Sequence, residues 1–241
     1  NAIRAEMGWS PQLHKQYIEV LRLYCRLRSL EPGRLARDVH ISGLGVKCKS
    51  IWESRVTRLS KSMSFTLPVG EFSTSHELKC FKDLLKEKDQ TSWYNEVWND
   101  QGKPNGNKLR TFRLHKTRIN PEVYVTNVPR YGRTTLARLR CGSLPLKIET
   151  GRYTNVHLED RICELCNSNE VEDEMHFAIT CPFYNDIRFN LLEAFNDTYA
   201  DFNDRSVLEK YCIIMSVSEV PIVNLVASTL HKMYLRRQSY V

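Results

Sequence analysis

The chain has 241 residues, 41% of them hydrophobic and 26% charged, a composition that excludes a disordered tail, a collagen-like repeat and a bare linker. Its longest apolar region, residues 211–227, is interrupted by polar residues and a proline, so no segment supplies the roughly 20 apolar residues of a membrane helix. The formal net charge of +7 favours polyanionic partners, nucleic acid first among them. No secretory signal opens the chain, which begins at Asn1 rather than Met and is expected to be a piece of a longer protein.

Residues 1–100 are predicted to form four helices. Ser10 and Pro11 are typical of a helix start, and apolar residues follow at spacings of three and four until Pro32 and Gly33 end the helix. A second helix covers residues 51–63, a third begins at a cap on Ser75, and a short fourth follows. The aromatic residues fall on the helical period and are predicted to lie in the core. The residues expected to face inward are Leu13, Tyr17, Val20, Tyr24, Leu27, Ile51, Trp52, Val56, Leu59, Met63, Leu78, Phe81, Leu85, Trp93, Val97 and Trp98.

A basic segment follows these helices. Residues 101–107 are polar, with two glycines and a proline, and are the best candidate for a hinge. Residues 101–161 carry a formal charge of +9, whereas residues 162–212 carry −8. Residues 109–119 alternate imperfectly between basic and apolar, so strand and helix both stay open. A helix is predicted to follow Pro129 and to end at Gly142, with Leu136 and Leu139 facing inward and Arg133, Arg138 and Arg140 facing outward.

The basic segment is predicted to contact nucleic acid through phosphates, which fixes position without reading sequence. Phe112, Tyr131 and Tyr153 lie among the basic residues and suit occasional stacking on bases. Two other interpretations stay open, namely solvated arginines on a helix surface and neutralisation by the acidic segment that follows. The candidate phosphate contacts are Arg110, Arg113, Lys116, Arg118, Arg130, Arg133, Arg138, Arg140 and Arg152.

Residues 162–184 hold cysteines and a histidine at the spacing of metal ligands. Cys163 and Cys166 have two residues between them, His176 follows after nine more, and Cys181 after a further four. Three thiolates and one imidazole satisfy tetrahedral Zn²⁺, and four protein ligands leave no position for water or substrate. We therefore expect one structural zinc ion in a CCHC knuckle. Its binding free energy, on the order of 10 kcal/mol, is folding free energy, so the segment should be loose without metal.

Other interpretations of these residues stay open. The first two cysteines can be buried thiols and the histidine a surface residue, whereas a thioredoxin-like redox pair lacks the preceding βαβ pattern. His157, Asp173 and Glu174 are alternative ligands, although oxygen ligands are uncommon in structural zinc sites. Most of the acids in residues 170–174 are assigned to a solvated loop and a first helical turn. The remaining cysteines are predicted to be buried or partly buried thiols in a reducing compartment: Cys25, Cys48, Cys80, Cys141 and Cys212.

Three packing helices are predicted after the cluster. The first covers residues 186–195, the second begins at a cap on Asp204, and the last begins at Pro221 and ends in Arg236 and Arg237. The predicted fold is mainly α: a helical domain, then a small zinc-stabilised CCHC knuckle and C-terminal packing helices. The predicted domains are a helical segment at 1–100, a basic connector and helix at 101–160, and the knuckle with its C-terminal helices at 161–241.

The chain resembles the C-terminal region of the reverse transcriptases of animal non-LTR (LINE-type) retrotransposons. The resemblance is sharpest over residues 127–188, which read NVPRYGRTTLARLRCGSLPLKIETGRYTNVHLEDRICELCNSNEVEDEMHFAITCPFYNDIR. Residues 7–35, MGWSPQLHKQYIEVLRLYCRLRSLEPGRL, resemble the helical segment that follows the polymerase palm in the same proteins. The family's zinc ligands carry over to Cys163, Cys166, His176 and Cys181. The nine-residue spacer is longer than that of retroviral nucleocapsid knuckles, so their mode of base recognition is not transferred.

The resemblance implies a nucleic-acid-binding module that helps the polymerase hold template RNA or target DNA during target-primed reverse transcription. Catalysis is not expected, because the chain has no Asp-Asp dipeptide for two-metal polymerisation. It also lacks the P-loop, GxSxG and HExxH motifs. The alternative is a zinc-stabilised helical interaction module that docks on its own polymerase domain or on another acidic surface. Either module is expected inside the cell, in the nucleus, the cytoplasm or both.

Overall fold

The computed structural model describes residues 2–44, 50–99 and 109–240, except the side chain of Leu44. The chain is 69% helical, with no strand in these ranges, which confirms the predicted mainly α fold. It divides into two compact units, Ser10–Trp93 and the combination of Asn1–Trp9 with Tyr94–Val241. The three-segment division based on the sequence stays a prediction. The predicted hinge at 101–107 and Cys48 lie outside the described residues.

Helices α1 to α12 account for most of the described chain. In chain order they cover Ala2–Met7, Gln12–Ser29, Leu35–Leu44, Ile51–Met63, Thr74–Trp98, Phe112–His115, Val123–Asn127, Arg130–Arg140, Lys147–Thr150, Asn185–Thr198, Val207–Ser216 and Val220–Gln238. A π-helical turn covers His176–Thr180. Short 3₁₀ turns cover Leu158–Asp160, Pro182–Tyr184 and Phe202–Asp204. Helices α1, α3, α7 and α9 were not predicted from the sequence.

The unit Ser10–Trp93 contains α2 to α4 and most of α5. Ser50 begins α4 with a capping box, in which its hydroxyl accepts the Glu53 backbone N–H at 3.2 Å and the Glu53 carboxylate accepts the Ser50 N–H at 3.0 Å. The hydrophobic core of this unit consists of Leu21, Tyr24, Cys25, Val56, Leu59, Phe81 and Leu85.

Several predictions for this unit are wrong in detail. Helix α5 is continuous over Thr74–Trp98, where two helices were expected, because residues 86–92 contain neither glycine nor proline. Leu13 is exposed rather than inward, because the buried face of α2 begins at Tyr17 and Ile18. Pro11, not Ser10, is the N-cap of α2, and no side chain bonds there. Two further exposed residues were expected to be buried, Ile51 and Cys80.

In the other unit, α8 and α12 pack closely side by side. A Cβ atom placed on Gly132 of α8 would lie 3.2 Å from the Ala227 side chain and carbonyl oxygen in α12, so glycine permits this close approach. Helix α8 ends at Arg140 in a Schellman motif, and Gly142, the predicted end of the helix, lies just beyond it with a φ of +64°. In that motif the Gly142 N–H donates to Leu139 O and the Ser143 N–H to Arg138 O, at 3.1 and 2.8 Å.

The predicted C-terminal helices are present as α10, α11 and α12. The N-cap of α11 is Ser206, which forms a capping box with Glu209, rather than the predicted Asp204. The segment 109–119 forms only a single turn, α6, before the chain becomes extended. The most deeply buried core residues of the unit include Leu136, Leu139, Leu144, Leu146, Phe177, Leu191, Phe195, Tyr211, Val226, Leu230 and Met233.

No single helix within the described ranges is both long and apolar enough to cross a membrane. Helices α11 and α12 reach that length and composition only as a pair, and they are bent by 119° at the break between them. Both helices contribute buried residues to the core of their unit, including Tyr211 and Val226.

Candidate metal centre and its basic neighbours

A short hairpin places the first two cysteines. Ile162 and Val171 form an antiparallel bridge, and the Cys163 N–H donates to Glu170 O at 2.9 Å. Asn169 turns the chain with a φ of +58°, a conformation that asparagine tolerates better than most residues. The hairpin therefore holds Cys163 at its base and Cys166 in its loop.

The last two ligand candidates lie at the two ends of one π-helical turn. Asp173 accepts the His176 backbone N–H at 2.7 Å, and the Cys181 N–H donates to His176 O at 2.8 Å. This five-residue step brings the imidazole and the thiol to the same side of the turn. Pro182 follows at once and starts a 3₁₀ turn.

The four predicted ligands come together. One ligand atom each from Cys163, Cys166, His176 and Cys181 lies within 4.8 Å of the other three. The sulfurs of Cys163 and Cys181 are 3.9 Å apart, and Cys166 Sγ lies 3.4 Å from His176 Nε2. Tetrahedral Zn²⁺ with ordinary bond lengths requires separations of about 3.8 Å between sulfurs and about 3.6 Å between sulfur and nitrogen. These four residues can hold a metal ion.

The three alternative ligands do not lie in the cluster. His157 is exposed and lies outside the cluster. Asp173 caps the π-helical turn through the His176 N–H. Glu174 is buried and pairs with Arg110, whose Nε donates to Glu174 Oε2 at 3.2 Å. None of these three residues joins the metal-ligand cluster.

Glu170 orients the histidine. Its carboxylate lies 2.7 Å from His176 Nδ1, and Thr180 Oγ1 lies 3.1 Å from the same nitrogen. A carboxylate that accepts Nδ1–H fixes the tautomer and leaves Nε2 for a metal, which is the usual support of a ligating histidine. This role was not predicted from the sequence, because Glu170 is one of several acids in the spacer.

The electrostatics of the cluster favour an anionic sulfur. Hydrogen bonding to Cys181 lowers the pKa of the Cys163 thiol to about 3, against the opposing effect of burial. The same hydrogen bond raises the pKa of Cys181. Burial lowers the pKa of His176, but hydrogen bonds to the cysteine thiols and to Glu170 outweigh it and raise that pKa to about 9. Thiolate is the form that binds metals.

Arg188 lies beside the cluster and is 2% exposed. Its Nη2 donates to Cys181 O at 2.9 Å and to Asn185 Oδ1 at 2.6 Å, whereas Nε and Nη1 have no hydrogen-bond partner in the described part of the chain. Burial lowers the pKa of Arg188, and the neighbouring Cys181 opposes that shift. Three thiolates around a divalent ion carry a net charge of −1, which this guanidinium offsets. The four ligand groups and the incompletely bonded guanidinium of Arg188 are therefore both consistent with a bound metal ion.

Two acids of the spacer are buried: Glu172, although a solvated loop was expected for part of the spacer, and Glu174, which lies in the first helical turn, where acids were expected. Glu172 accepts two hydrogen bonds from Arg237, at 2.6 and 2.8 Å, and Glu174 pairs with Arg110. Both carboxylates are nearly inaccessible, at 2% and 1% exposure. A buried carboxylate requires a cation, and each arginine comes from a distant part of the sequence. The pairing with Arg237 ties the hairpin to the end of α12.

Three of the predicted phosphate contacts are buried, so the prediction that they face solvent is wrong. Arg140 pairs with Glu6 at 3.1 Å and donates to Met215 O. Lys116 pairs with Glu122, and Arg113 Nε donates to Val97 O at 2.8 Å. Phe112, a proposed stacking residue, is fully buried as well. These cations bond to acceptors inside the protein, so a phosphate cannot reach them.

The other candidates are accessible to different degrees. Arg118, Arg130 and Arg138 are exposed. Three more are half-buried and already bonded: Arg110 to Glu174, Arg133 to Val125 O and Arg152 to Glu149. Two of the three exposed candidates, Arg130 and Arg138, lie on α8.

The exposed arginines of α8 flank a cleft against α12. Tyr131 is 72% exposed, and its ring stacks on His231 with centroids 5.9 Å apart and an interplanar angle of 20°. His231 Nδ1 lies 3.0 Å from Thr135 Oγ1. His231 was not predicted as a site residue, because the sequence of neither helix shows that α12 packs against α8.

Comparisons of the chain with protein-family models, curated proteins and solved structures found no match. The resemblance to retrotransposon reverse transcriptases stays a prediction that rests on the residues quoted for it. Functional conclusions are therefore drawn from the chemistry of the site.

Proposed function

We propose that the chain is a zinc-stabilised, non-catalytic nucleic-acid-binding module. The observation that carries this proposal is the clustering of four ligand groups within 4.8 Å, in the same unit as a helix pair that presents only cationic charges. In this proposal the metal holds the hairpin in place, and the helix pair meets phosphates. A closed four-ligand site suits structure rather than catalysis.

Zinc is the ion that the donor set favours. Thiolate and imidazole are the ligands of structural Zn²⁺, whereas Mg²⁺ and Ca²⁺ take oxygen ligands. The sulfur–sulfur separation of 3.9 Å and the sulfur–nitrogen separation of 3.4 Å are close to those of a tetrahedral site. Glu170 supplies the outer-shell carboxylate that such a histidine usually has.

The basic surface is formed by α8 and α12. Neither helix contains an acidic residue. Arg130, Arg138 and Lys232 are exposed and form no ion pair within the described ranges. Unpaired cations on a protein surface attract polyanions through counterion release, without any reading of sequence. Nucleic acid is the polyanion that suits such a surface best.

The retrotransposon resemblance gives this activity a setting. In that setting the module would hold template RNA or target DNA for a polymerase elsewhere in the same polyprotein, inside the cell. The polymerase domain itself would be a second partner, and the same exposed arginines are suited to an acidic protein surface. Direct competition between nucleic acid and the polymerase domain separates the two roles.

The experiment measures binding of single-stranded RNA and duplex DNA by the full chain, with fluorescence anisotropy at several salt concentrations. Arg130→Ala combined with Arg138→Ala should weaken binding to both by about tenfold at low salt and should reduce the salt slope by about 2. Lys79→Ala combined with Lys82→Ala removes the same charge from exposed positions on α5 and should change affinity less than about twofold.

The outcomes separate the alternatives. Absence of binding at low salt, or an equal loss in the two double variants, overturns the proposal. Capture of the polymerase domain by a chain that ignores nucleic acid supports the interaction module instead. Metal analysis of the purified chain tests zinc itself, and Cys166→Ser should lower the bound zinc well below one ion per chain, whereas Cys80→Ser, an exposed cysteine outside the cluster, should not.

A further inference from the structure

We propose that the cleft between α8 and α12 is a subsite for one unpaired nucleotide, with its base stacked on Tyr131 and its phosphate held by Arg130 and Arg138. This inference rests on the proposed function and deepens it, because it specifies single-stranded nucleic acid as the ligand. The cleft has a volume of about 370 Å³, within the usual range of ligand pockets.

Tyr131 provides a prearranged platform. One side of its ring stacks on His231, and the ring is otherwise open to solvent, since the residue is 72% exposed. His231 is held by Thr135 at 3.0 Å, and the close approach of Gly132 to Ala227 brings the two helices together at this point. An aromatic ring fixed from behind offers its free face to a base at little entropic cost.

The charges beside the platform suit a phosphate. Arg130, Thr134 and Arg138 follow one another at one-turn intervals along α8 and all line the cleft. The two arginines are therefore about 12 Å apart along the helix axis, one on each side of the Thr134 hydroxyl. None of the described residues that line the cleft carries a carboxylate, so none of them repels an anion.

The platform favours unpaired bases over a duplex. Within a duplex each base face is covered by its neighbours, whereas the bases of a single strand are free to stack on protein aromatic rings. Such stacking tolerates any base, because every base has a π face. We therefore expect little sequence preference at this subsite.

Tyr153 is the natural comparison residue. It is also exposed, at 77%, and lies in the basic segment. Its hydroxyl, however, lies 3.3 Å from the Glu149 carboxylate, which repels a phosphate beside that ring. Tyr131 has no such acidic neighbour among the residues that line its cleft.

The test uses the full chain and a short single-stranded oligodeoxynucleotide that carries 2-aminopurine, with a duplex of the same length as comparison. Binding should quench the 2-aminopurine fluorescence, because a 2-aminopurine base that stacks on the Tyr131 ring loses fluorescence. Tyr131→Ala should weaken single-strand binding by about tenfold, abolish most of the quenching and leave duplex affinity within about twofold. Tyr131→Trp should retain both properties, and Tyr153→Ala should behave like the unmodified chain.

Each result decides between the hypotheses. Equal losses on single strand and duplex in Tyr131→Ala, or a loss of quenching in Tyr153→Ala instead, overturn the subsite while the proposed function stands. Failure of the unmodified chain to bind any nucleic acid overturns the proposed function itself. Thermal denaturation of each variant shows whether it is folded, and Tyr131→Trp keeps the test informative if the alanine variant is unstable.

Discussion

At the scale of single residues, Arg188 connects the metal centre to its surroundings. A buried guanidinium with two unpartnered N–H groups costs several kcal/mol unless a negative charge compensates it. The carbonyl of Cys181 and the amide of Asn185 satisfy only its Nη2 group. The three thiolates of a loaded site supply the missing charge, so Arg188 is expected to stabilise the metal-bound form and to destabilise the metal-free form.

Arg188→Met tests this assignment, because methionine keeps much of the apolar bulk and removes the charge. We expect metal affinity to fall by about tenfold, since the compensating cation is lost. The metal-free protein should become more stable, since an unpaired buried charge disappears. Competition with a chromophoric chelator measures the first effect, and urea denaturation of the chelated protein measures the second.

Arg236→Met provides the control for this variant. Arg236 pairs with Asp186 near the surface, so its replacement should leave metal affinity unchanged. If Arg188→Met destabilised the metal-free protein and left metal affinity intact, the side chain would serve packing alone.

Sequence reasoning identified the four ligand candidates at this scale but not the residues around them. The spacing of Cys163, Cys166, His176 and Cys181 is local information, and the structure brings all four together. The contacts of Glu170 with His176 and of Arg188 with Cys181 depend on tertiary packing, which the sequence pattern does not show. The same limit explains why the burial of Glu172 and Glu174 was not predicted, since their arginine partners are 65 and 64 residues away.

At the scale of helices, the contact between α8 and α12 depends on one glycine. A methyl group at Gly132 would meet the Ala227 side chain and carbonyl oxygen at 3.2 Å. The carbonyl belongs to a packed helix and has little room to move. Crowding of this kind costs 1–3 kcal/mol as a rough range, which exceeds the helix-propensity gain of about 1 kcal/mol for replacing glycine by alanine.

Gly132→Ala should therefore destabilise the chain by about 1 kcal/mol. Chemical denaturation measures the change in the free energy of unfolding. Thr134→Ala, at an exposed position of the same helix, should lie within about 0.5 kcal/mol of the unmodified chain. Stabilisation by Gly132→Ala would show that α12 yields easily at Ala227.

The helices themselves were largely predictable, and their ends were less so. Hydrophobic spacing correctly located α2, α4, α8, α10, α11 and α12. The break expected inside α5 was wrong, since aromatic and apolar clusters alone do not show where a helix stops. Short helices such as α1 and α7 contain too few turns for the helical spacing of apolar residues to be recognised.

At the scale of the whole molecule, the charged residues of 101–161 and 162–212 fall into two groups. Some pair across the two segments, as Arg110 does with Glu174 and Lys147 with Glu164. Others, such as Arg130 and Arg138, stay exposed without a partner in the described residues. Internal neutralisation and an accessible basic surface, which the sequence offered as alternatives, thus coexist in one unit. The surface charge was predictable in amount but not in position.

Metal removal should affect one unit and spare the other. Chelation is expected to increase amide exchange across residues 160–185, since the four ligands that join the hairpin to the π-helical turn all lie in this segment. The core of Ser10–Trp93 contains none of the four ligands and should keep its protection. Hydrogen-exchange mass spectrometry with and without chelator measures both segments. Uniform loosening of the whole chain would contradict this expectation.

The ion pair between Glu172 and Arg237 also determines when the hairpin can finish folding during synthesis of the chain. A ribosome delivers the acid long before its arginine, and a carboxylate cannot enter an apolar interior without a cation. Early folding of the hairpin would leave Glu172 in water, and its final seating must wait until the last turns of α12 have been translated. The hairpin therefore completes its native environment only after Arg237 has left the ribosome.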